Sequence, residues 1–172
     1  TPPQCFLDDA TPQLFAVSRP FVRLNQASDN RQFTIEGQGF GAATGQVLLD
    51  GALPLQVTSW NDRTINVTAP TTIPTGVHQL GIRAANGNGT VNGLSFHVIG
   101  SGYNPLLFEV GPSRTYATVQ AGVDAAANAS SNRPRVVIVY PGAPEQWNPL
   151  GTYFENVVIY SPLTLQGVGP GG

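Results

Sequence analysis

Short apolar runs recur at intervals of roughly 8–12 residues between positions 14 and 99, and this spacing constrains the fold more than any other feature. In residues 32–36 (QFTIE) and 64–68 (TINVT) every second side chain is apolar, as in a strand with one buried face. Glycine, proline, asparagine and aspartate separate the runs, which is typical of turns. The pattern predicts an all-β sandwich over residues 12–99.

Eight strands are predicted in this region, near residues 14–18, 21–24, 31–37, 46–49, 53–60, 63–69, 77–84 and 91–99. Residues 60–63 (WNDR) lie between two of them. Asparagine and aspartate tolerate left-handed backbone and accept hydrogen bonds from nearby amides. We therefore predict a hairpin turn at residues 60–63.

The surface of the protein must be largely uncharged, because charged residues make up only 10% of the 172 residues and lysine is absent. The net charge of −2 provides no basic patch, so we expect no nucleic-acid partner. No apolar run approaches the ~20 residues needed to cross a bilayer, so we predict no membrane span. Low charge and abundant turn residues favour a secreted or cell-surface protein.

Several motifs occur in a fixed order in this first region: GQGFG at residues 37–41, VLLDG at 47–51, VTSW at 57–60, TINVTAP at 64–70 and GVHQL at 76–80. Together they resemble the IPT/TIG immunoglobulin-like domain, and the likeness covers residues 12–99. The resemblance implies an Ig-like sandwich that serves as a spacer, an adhesion module or an accessory domain beside an enzyme. It implies a fold and no reaction.

The pattern changes after residue 100. Residues 106–110 (LLFEV) are a strand candidate, and apolar residues at helical spacing predict a helix over residues 115–128, with Ser113 or Thr115 as its N-cap. Three β-branched runs follow, at residues 135–140, 155–160 and 162–167. They lack strict alternation, which is typical of strands buried in parallel sheets.

This order of elements resembles the N-terminal cap and opening coils of a right-handed parallel β-helix of the pectin-lyase-like kind. Residues 118–126 (TVQAGVDAA) and 140–142 (YPG) support the likeness, which covers residues 107–169. The predicted fold class is thus all-β, an Ig-like sandwich plus the start of a β-helix with one capping α-helix. The predicted domains are an extended lead (1–11), the sandwich (12–99), a linker (100–105) and the cap with the first, incomplete coils (106–172).

A β-helix coil cannot bury its inner face alone, and about three repeats are needed for stability. The residues after position 135 supply only about two coils, so the last one is expected to expose apolar side chains and unpaired backbone groups. We therefore expect that this chain is the front of a longer polypeptide whose further coils cover the open face, or that another copy of the chain covers it.

Motifs that suggest chemistry have better structural interpretations. Residues 37–42 (GQGFGA) and 167–172 (GVGPGG) match glycine-rich nucleotide loops, but a predicted strand follows the first, and the second contains Pro170, which has no amide N–H for a phosphate. His78 and His97 stand alone in predicted strands, and the single cysteine, Cys5, has no partner for a zinc site. We therefore predict no cofactor and no metal.

Five carboxylates are candidate catalytic groups, and a solvated position is the better interpretation for each: Asp8, Asp9, Asp124, Glu145 and Glu155. In the family that residues 107–169 resemble, the catalytic acids and the basic residue lie on middle coils. No catalytic residue is therefore assigned to any position of this sequence.

The two tryptophans, Trp60 and Trp147, are candidate contacts for a carbohydrate or a protein partner, because a flat indole stacks on sugar rings and anchors interfaces. Trp147 lies in a proline-bounded loop (residues 145–149, EQWNP) that is expected to project. The structural alternative for both is an aromatic lid over local core.

The leading functional hypothesis is a non-catalytic extracellular structural or adhesive module of a larger protein, which assembles through β-edges. The alternative is the N-terminal part of a secreted polysaccharide lyase or glycoside hydrolase whose active site lies beyond residue 172. A third hypothesis is a carbohydrate-binding module that uses Trp147, with a polysaccharide as partner. Whether the full-length protein is an enzyme stays open.

Overall fold

A computed structural model describes residues 11–169 of the chain. The predicted lead, except for its last residue, therefore lies outside the described residues. Cys5, Asp8, Asp9 and the last three residues of the second glycine-rich motif also lie outside them. The chain is all-β, as predicted, with 40% strand and 7% helix. It divides into two compact units, one containing residues 11–102 and the other Tyr103–Val168.

Nine strands form two sheets in the first unit: β1 (Gln13–Val17), β2 (Phe21–Arg23), β3 (Gln32–Gln38), β4 (Gln46–Leu49), β5 (Leu53–Pro54), β6 (Gln56–Trp60), β7 (Thr64–Thr68), β8 (Gly76–Arg83) and β9 (Leu94–Ile99). A short 3₁₀ helix spans Ser28–Arg31. The four-stranded sheet has the order β1-β3-β7-β6, and the five-stranded sheet has the order β2-β9-β8-β4-β5. All pairs are antiparallel except β2 with β9.

The core of this unit lies between the two sheets. The rings of Phe33 on β3 and Phe96 on β9 are 4.6 Å apart between centroids, and both side chains are buried. Ile35 and Ile65 from the first sheet and Leu80 from the second are fully buried. The alternating apolar residues therefore face one another across a two-sheet sandwich.

The sequence pattern predicts one strand over residues 53–60, and this prediction is wrong. The chain forms β5 and β6 there, which belong to different sheets and are separated at Leu55. Pro54 has no N–H to continue a ladder, and the buried Leu55 donates its own N–H to the carbonyl oxygen of Val47. The chain changes sheets at this point.

The second unit contains β10 (Leu106–Val110), α1 (Val119–Ala127), β11 (Arg135–Val139) and β12 (Thr164–Gly167). The three strands form a parallel sheet in the order β10-β11-β12. Leu106 pairs with Arg135, 29 residues later, and Val136 pairs with Thr164, 28 residues later. The backbone therefore returns to the same sheet after a nearly constant length of chain.

Helix α1 packs on the sheet through Val119, Val123 and Ala126, which contact Val110 and Val137. Both faces of β11 are buried, because successive residues 136–138 are all inaccessible to solvent. That finding agrees with the expectation for an uninterrupted apolar run in a parallel sheet.

The helix begins later than predicted, and its N-cap is Thr118 rather than Ser113 or Thr115. Ser113 has a φ of 59°, which is incompatible with a right-handed helix. Tyr116 forms a parallel bridge to Val110 and donates its N–H to the carbonyl oxygen of Glu109. Residues 113–116 are thus committed to a turn and a bridge, and the helix can start only after them.

Between residues 11 and 169, no helix combines the length and the apolar character needed to cross a membrane.

Candidate functional site

A closed loop at residues 142–152 holds Trp147 near its tip. The N–H of Gly142 donates to the carbonyl oxygen of Gly151 at 2.7 Å, which ties the two ends of the loop together. Glu145 and Asn148 exchange backbone hydrogen bonds of 3.0 Å within it. Backbone pairing thus constrains the loop at its ends and at its tip.

The side chain of Asn148 adds a second constraint. Its Oδ1 accepts the N–H of Thr152 at 2.8 Å, and its Nδ2 donates to the carbonyl oxygen of the same residue at 2.8 Å. Gly151 has a φ of 62°, and a Cβ there would collide with the backbone of Gly142. The loop therefore requires glycine at this crossing.

Trp147 and Phe154 form an exposed aromatic pair. Their ring centroids are 5.9 Å apart with an interplanar angle of 28°, so the rings are stacked with an offset. Trp147 is 70% exposed and Phe154 is 75% exposed. The pair therefore offers aromatic surface to solvent. This position agrees with the projecting loop predicted around Trp147.

Phe154 was not singled out from the sequence, because it lies just before the run predicted as a strand at residues 155–160. Residues 153–158 alternate between partly buried and exposed side chains, with Phe154, Asn156 and Val158 on the exposed side. The outward face of this segment therefore carries an aromatic residue next to the Trp147 loop.

Residues 155–160 do not form the predicted strand. The side chain of Gln120 on α1 takes the place of a neighbouring strand: its Oε1 accepts the N–H of Val158 at 2.8 Å, and its Nε2 donates to the carbonyl oxygen of Val158 at 3.3 Å. A side-chain amide has the same donor and acceptor as a peptide group, so it pairs with one residue of the segment and no ladder develops.

Solvated positions were predicted for Glu155 and Asp124. In the structure, both carboxylates instead form hydrogen bonds that hold this segment to the helix. Glu155 accepts the backbone N–H groups of Val119 and Gln120 at 2.9 and 3.0 Å. Asp124 Oδ1 accepts a hydrogen bond from Gln120 Nε2 at 2.7 Å and one from the Tyr160 hydroxyl at 3.0 Å. Each carboxylate therefore has a structural task.

Two tyrosines in this region have raised pKa values. The hydrogen bond to Asp124 raises the pKa of Tyr160, because ionisation would remove the donated proton and place a second negative charge beside the carboxylate. Desolvation raises the pKa of Tyr153, and the charge of Glu155 adds to this effect. Both phenols are therefore neutral near neutral pH.

Four large side chains between residues 158 and 165 are exposed, namely Val158, Ile159, Tyr160 and Leu165; together they are called the open face below. Val158 is 62% exposed and Leu165 is 40% exposed. Strand β12 is the last strand of its sheet, and no described strand pairs with its outer edge. Apolar side chains of residues 158–165 are therefore exposed to solvent.

Trp60 lies in a different environment in the first unit. Its indole Nε1 donates to the carbonyl oxygen of Gly41 at 3.0 Å, and its ring is 6.0 Å from that of Phe40. Gly45 lies so close that a Cβ there would meet the indole. Trp60 thus packs over residues 40–45, which favours the structural alternative for it.

The glycine-rich segment at residues 37–42 is a turn. Gly39 and Gly41 have φ values of 71° and 77°, and strand β4 follows at Gln46. Asp62 Oδ1 accepts the N–H of Gly41 at 2.9 Å, so the loop binds a side chain of its own unit.

The two histidines also have structural environments. His97 is buried on β9. His78 Nδ1 lies 2.7 Å from Asp50 Oδ2, and its Nε2 lies 2.9 Å from the carbonyl oxygen of Pro74. Asp50 Oδ1 also accepts the N–H of Gln79 at 2.7 Å. Within the described part of the chain, no three His, Cys, Asp or Glu side chains are grouped to hold a metal ion.

A shallow polar depression of about 550 Å³ lies on the four-stranded sheet. Asn66 is at its centre, with its Oδ1 accepting from the Thr34 hydroxyl and its Nδ2 donating to Ser59 Oγ. These side-chain groups bind one another. The exposed aromatic pair of the second unit is therefore the better candidate for a ligand contact.

No protein-family model and no curated protein matches this chain. It is similar to a number of solved structures at low identity, and three of them follow. A gamma-CGTase from alkalophilic Bacillus clarkii has a TM-score of 0.46 and 24% identity over 63% of this chain and 15% of that one. SGBP-B of the mixed-linkage glucan utilization locus of Bacteroides ovatus, in complex with a mixed-linkage heptasaccharide, has a TM-score of 0.39 and 21% identity over 58% and 24% of the two chains.

The third structure is a family 28 exopolygalacturonase of Yersinia enterocolitica, with a TM-score of 0.29 and 10% identity over 77% of this chain and 28% of that one. The chain thus spans only a small part of each of these proteins. At such TM-scores and identities, the likenesses assign the chain to no family and establish no activity.

Proposed function

We propose that this chain is a non-catalytic structural or adhesive module of a secreted or cell-surface protein, which binds further β-structure through the open face. The observation that supports this proposal is the combination of an unprotected edge strand with exposed apolar side chains. Val158, Ile159 and Tyr160 come shortly before β12 in the sequence, and Leu165 is part of it. Apolar surface of this kind favours association.

The edge of β12 lacks the usual protection against pairing. Natural sheets protect their edges with charged side chains, prolines or bulges. Residues 156–168 contain no charged side chain, and β12 itself contains no proline. Its register with β11 is regular over four residue pairs, from Val136–Thr164 to Val139–Gly167. The edge is therefore suited to accept another strand, from a further coil or from a second copy of the chain.

Sedimentation velocity over a range of protein concentrations tests this proposal. We expect the chain to self-associate and Leu165→Lys to remain monomeric, because the lysine would place a charge in the contact. Val91→Lys is the matched control, since Val91 is an 85% exposed valine of the other unit. A dilute, stable monomer that binds no dye for exposed apolar surface would contradict the proposal.

The domain assignment is part of the same proposal: an IPT/TIG-like domain over residues 12–99, a linker over 100–105 and the start of a β-helix over 106–172. The two sheets of the first unit and the parallel sheet of the second support it. We expect limited proteolysis to cut within residues 100–105 and to leave two protected fragments. Cleavage within β3 or β11 instead would contradict the assignment.

Secretion or surface display is supported by the low charge and the absence of lysine. We expect protease added to intact producing cells, or recovery from the medium, to reveal the protein outside the cytoplasm. Retention inside intact, protease-treated cells would contradict this localisation.

The N-terminal part of a polysaccharide lyase or glycoside hydrolase is a second candidate function. The return of the chain to a parallel sheet after 29 and 28 residues supports it, because coils of nearly constant length are expected of the β-helix that residues 107–169 resemble. Any coding sequence downstream of residue 172 tests it. Clusters of Asp, Arg and Lys at matching positions of successive coils would favour the enzyme, and uncharged repeats would favour the structural module.

A further inference from the structure

We propose that Trp147 and Phe154 form a stacking platform for the pyranose rings of a neutral oligosaccharide. This inference goes beyond the proposed association through the open face and does not depend on it. It rests on the geometry of the aromatic pair, on the hydrogen bonds that hold its loop and on the charge of the surrounding residues.

The first observation is that the aromatic surface is exposed and ordered together. Two large rings, 70% and 75% exposed, stack on each other at 5.9 Å and leave aromatic surface in solvent. The contact between the two rings restricts the side-chain rotation of both residues. An aromatic surface of this kind matches the flat C–H face of a sugar ring. A single mobile side chain would lose conformational entropy on binding the same face, whereas the stacked pair is already ordered.

The second observation is the constraint on the loop itself. The Gly142–Gly151 bond closes the loop, and the two bonds between the Asn148 side chain and the Thr152 backbone fasten its exit, two residues before Phe154. Little backbone entropy would therefore be lost on binding.

The third observation concerns charge and specifies the ligand class. Glu145 is the one charged residue in the sequence from 142 to 154, and no cation occurs there. A uronate or sulfated sugar would find no cation in this segment, and Glu155, which follows Phe154, adds a second carboxylate, so acidic glycans are disfavoured. Exposed polar side chains next to the rings, Gln146 and Asn156, provide amide donors and acceptors for sugar hydroxyl groups. The site therefore suits a neutral glycan.

The fluorescence of Trp147 provides a direct test, because the chain has only two tryptophans. In a Trp60→Phe background, Trp147 is the only tryptophan, and excitation at the long-wavelength edge of its absorption avoids the five tyrosines. We propose to titrate this variant with cellohexaose, xylohexaose and maltohexaose, and with an oligogalacturonate as the acidic comparison. We expect a saturable change in emission with at least one neutral oligosaccharide and none with the oligogalacturonate.

Calorimetry on the unaltered chain then tests the two residues separately. We expect Trp147→Ala and Phe154→Ala each to raise the Kd about tenfold or more, as truncation of an aromatic anchor commonly does. Phe15→Ala is the matched control, since Phe15 is a 52% exposed phenylalanine of the first unit, and its Kd should not change. Circular dichroism spectra identical to the wild type exclude unfolding as the cause of a loss.

Three outcomes would overturn the inference: no binding of any neutral oligosaccharide, binding that survives both alanine substitutions, or binding of the oligogalacturonate alone. If Trp147→Ala and Phe154→Ala abolish self-association while no glycan binds, the pair is a protein contact and the inference is wrong. The test is separable from that of the open face, because Leu165→Lys should abolish association and leave glycan binding unchanged.

Discussion

The carboxylate of Glu155 caps the helix that begins 36 residues earlier, with its Oε1 accepting the backbone N–H of Val119 at 2.9 Å. Its Oε2 accepts the N–H of Gln120 at 3.0 Å. Thr118 Oγ1 accepts the next N–H, from Ala121, and the carbonyl oxygen of Thr118 accepts that of Gly122. The N–H groups of the first three helical residues, which have no acceptor within the helix backbone, are thus all bound, two of them by a residue of a later segment.

Glu155→Ala should destabilise the second unit by about 1 kcal/mol, the usual cost of removing a helix cap. Glu155→Gln should cost less, because it keeps one acceptor oxygen. Hydrogen exchange measured by mass spectrometry should show faster exchange over Val119–Ala127 in Glu155→Ala, with the strands of the first unit unchanged. Glu145→Ala, in an exposed loop, is the control. If Glu155→Ala and Glu145→Ala changed the hydrogen exchange of the helix equally, a capping role for Glu155 would be contradicted.

Gln120→Leu should release residues 155–160 from the helix, because leucine can neither accept the N–H of Val158 nor donate to its carbonyl oxygen. The groups are exposed and water can replace the lost partner, so we expect little change in the free energy of unfolding. The expected change is local: faster exchange of the Val158 amide, measured by NMR. Unchanged protection of that amide would show that Gln120 does not hold the segment.

The alternating pattern in the first unit predicted most strands well, because alternation reports directly which side chains one sheet face buries. β3 and β7 lie within two residues of the predicted bounds. The turn at residues 60–63 is also confirmed: Asn61 Oδ1 accepts the N–H groups of Arg63 and Thr64, each at 2.8 Å. These features depend on interactions between residues close in sequence.

Features that depend on distant residues could not be predicted in this way. The Glu155 cap joins positions 36 residues apart, and the Gln120–Val158 pair joins positions 38 apart. The sequence offers nothing local to indicate either. Trp147 was predicted as a candidate because it lies in a proline-bounded loop. Its partner Phe154 could be identified only from the structure, in which the chain after the loop brings the two rings together. Local pattern therefore predicted one half of the candidate site.

Acid should destabilise the first unit through Asp50. The backbone hydrogen bond from Gln79 is the main cause that lowers the pKa of Asp50 below its ordinary value of 3.8, and the hydrogen bond with His78 is the next. A carboxyl group with a lowered pKa in the folded state stabilises the fold while it is ionised. This stabilisation is present above pH 3.8 and is lost as the pH falls through the folded-state pKa.

Asp50→Asn is the variant that tests this dependence. Asp50 has a φ of 52°, and asparagine tolerates that left-handed backbone, so the substitution adds little strain. Urea unfolding should show that the free energy of unfolding of the wild type falls more steeply below pH 3.8 than that of Asp50→Asn. The difference should be modest, because the Asp50 side chain is half exposed. Parallel curves would contradict the prediction.

Gly151→Ala should distort the loop that holds Trp147, for two separable reasons. With a φ of 62°, alanine would cost about 1–2 kcal/mol in left-handed backbone alone. Its Cβ would also collide with the carbonyl group of Gly142, which must move and thereby break the bond that closes the loop. Gly51→Ala isolates the first reason, because Gly51 has a φ of 70° and open space around its Cβ position.

We therefore expect Gly51→Ala to show only the backbone cost and Gly151→Ala to show a larger loss of stability in thermal unfolding. Fluorescence anisotropy in the Trp60→Phe background gives the second readout, in which Trp147 should become more mobile in Gly151→Ala and not in Gly51→Ala. Equal mobility of Trp147 in both variants would mean that the indole is held by its stacking on Phe154 rather than by the closed loop.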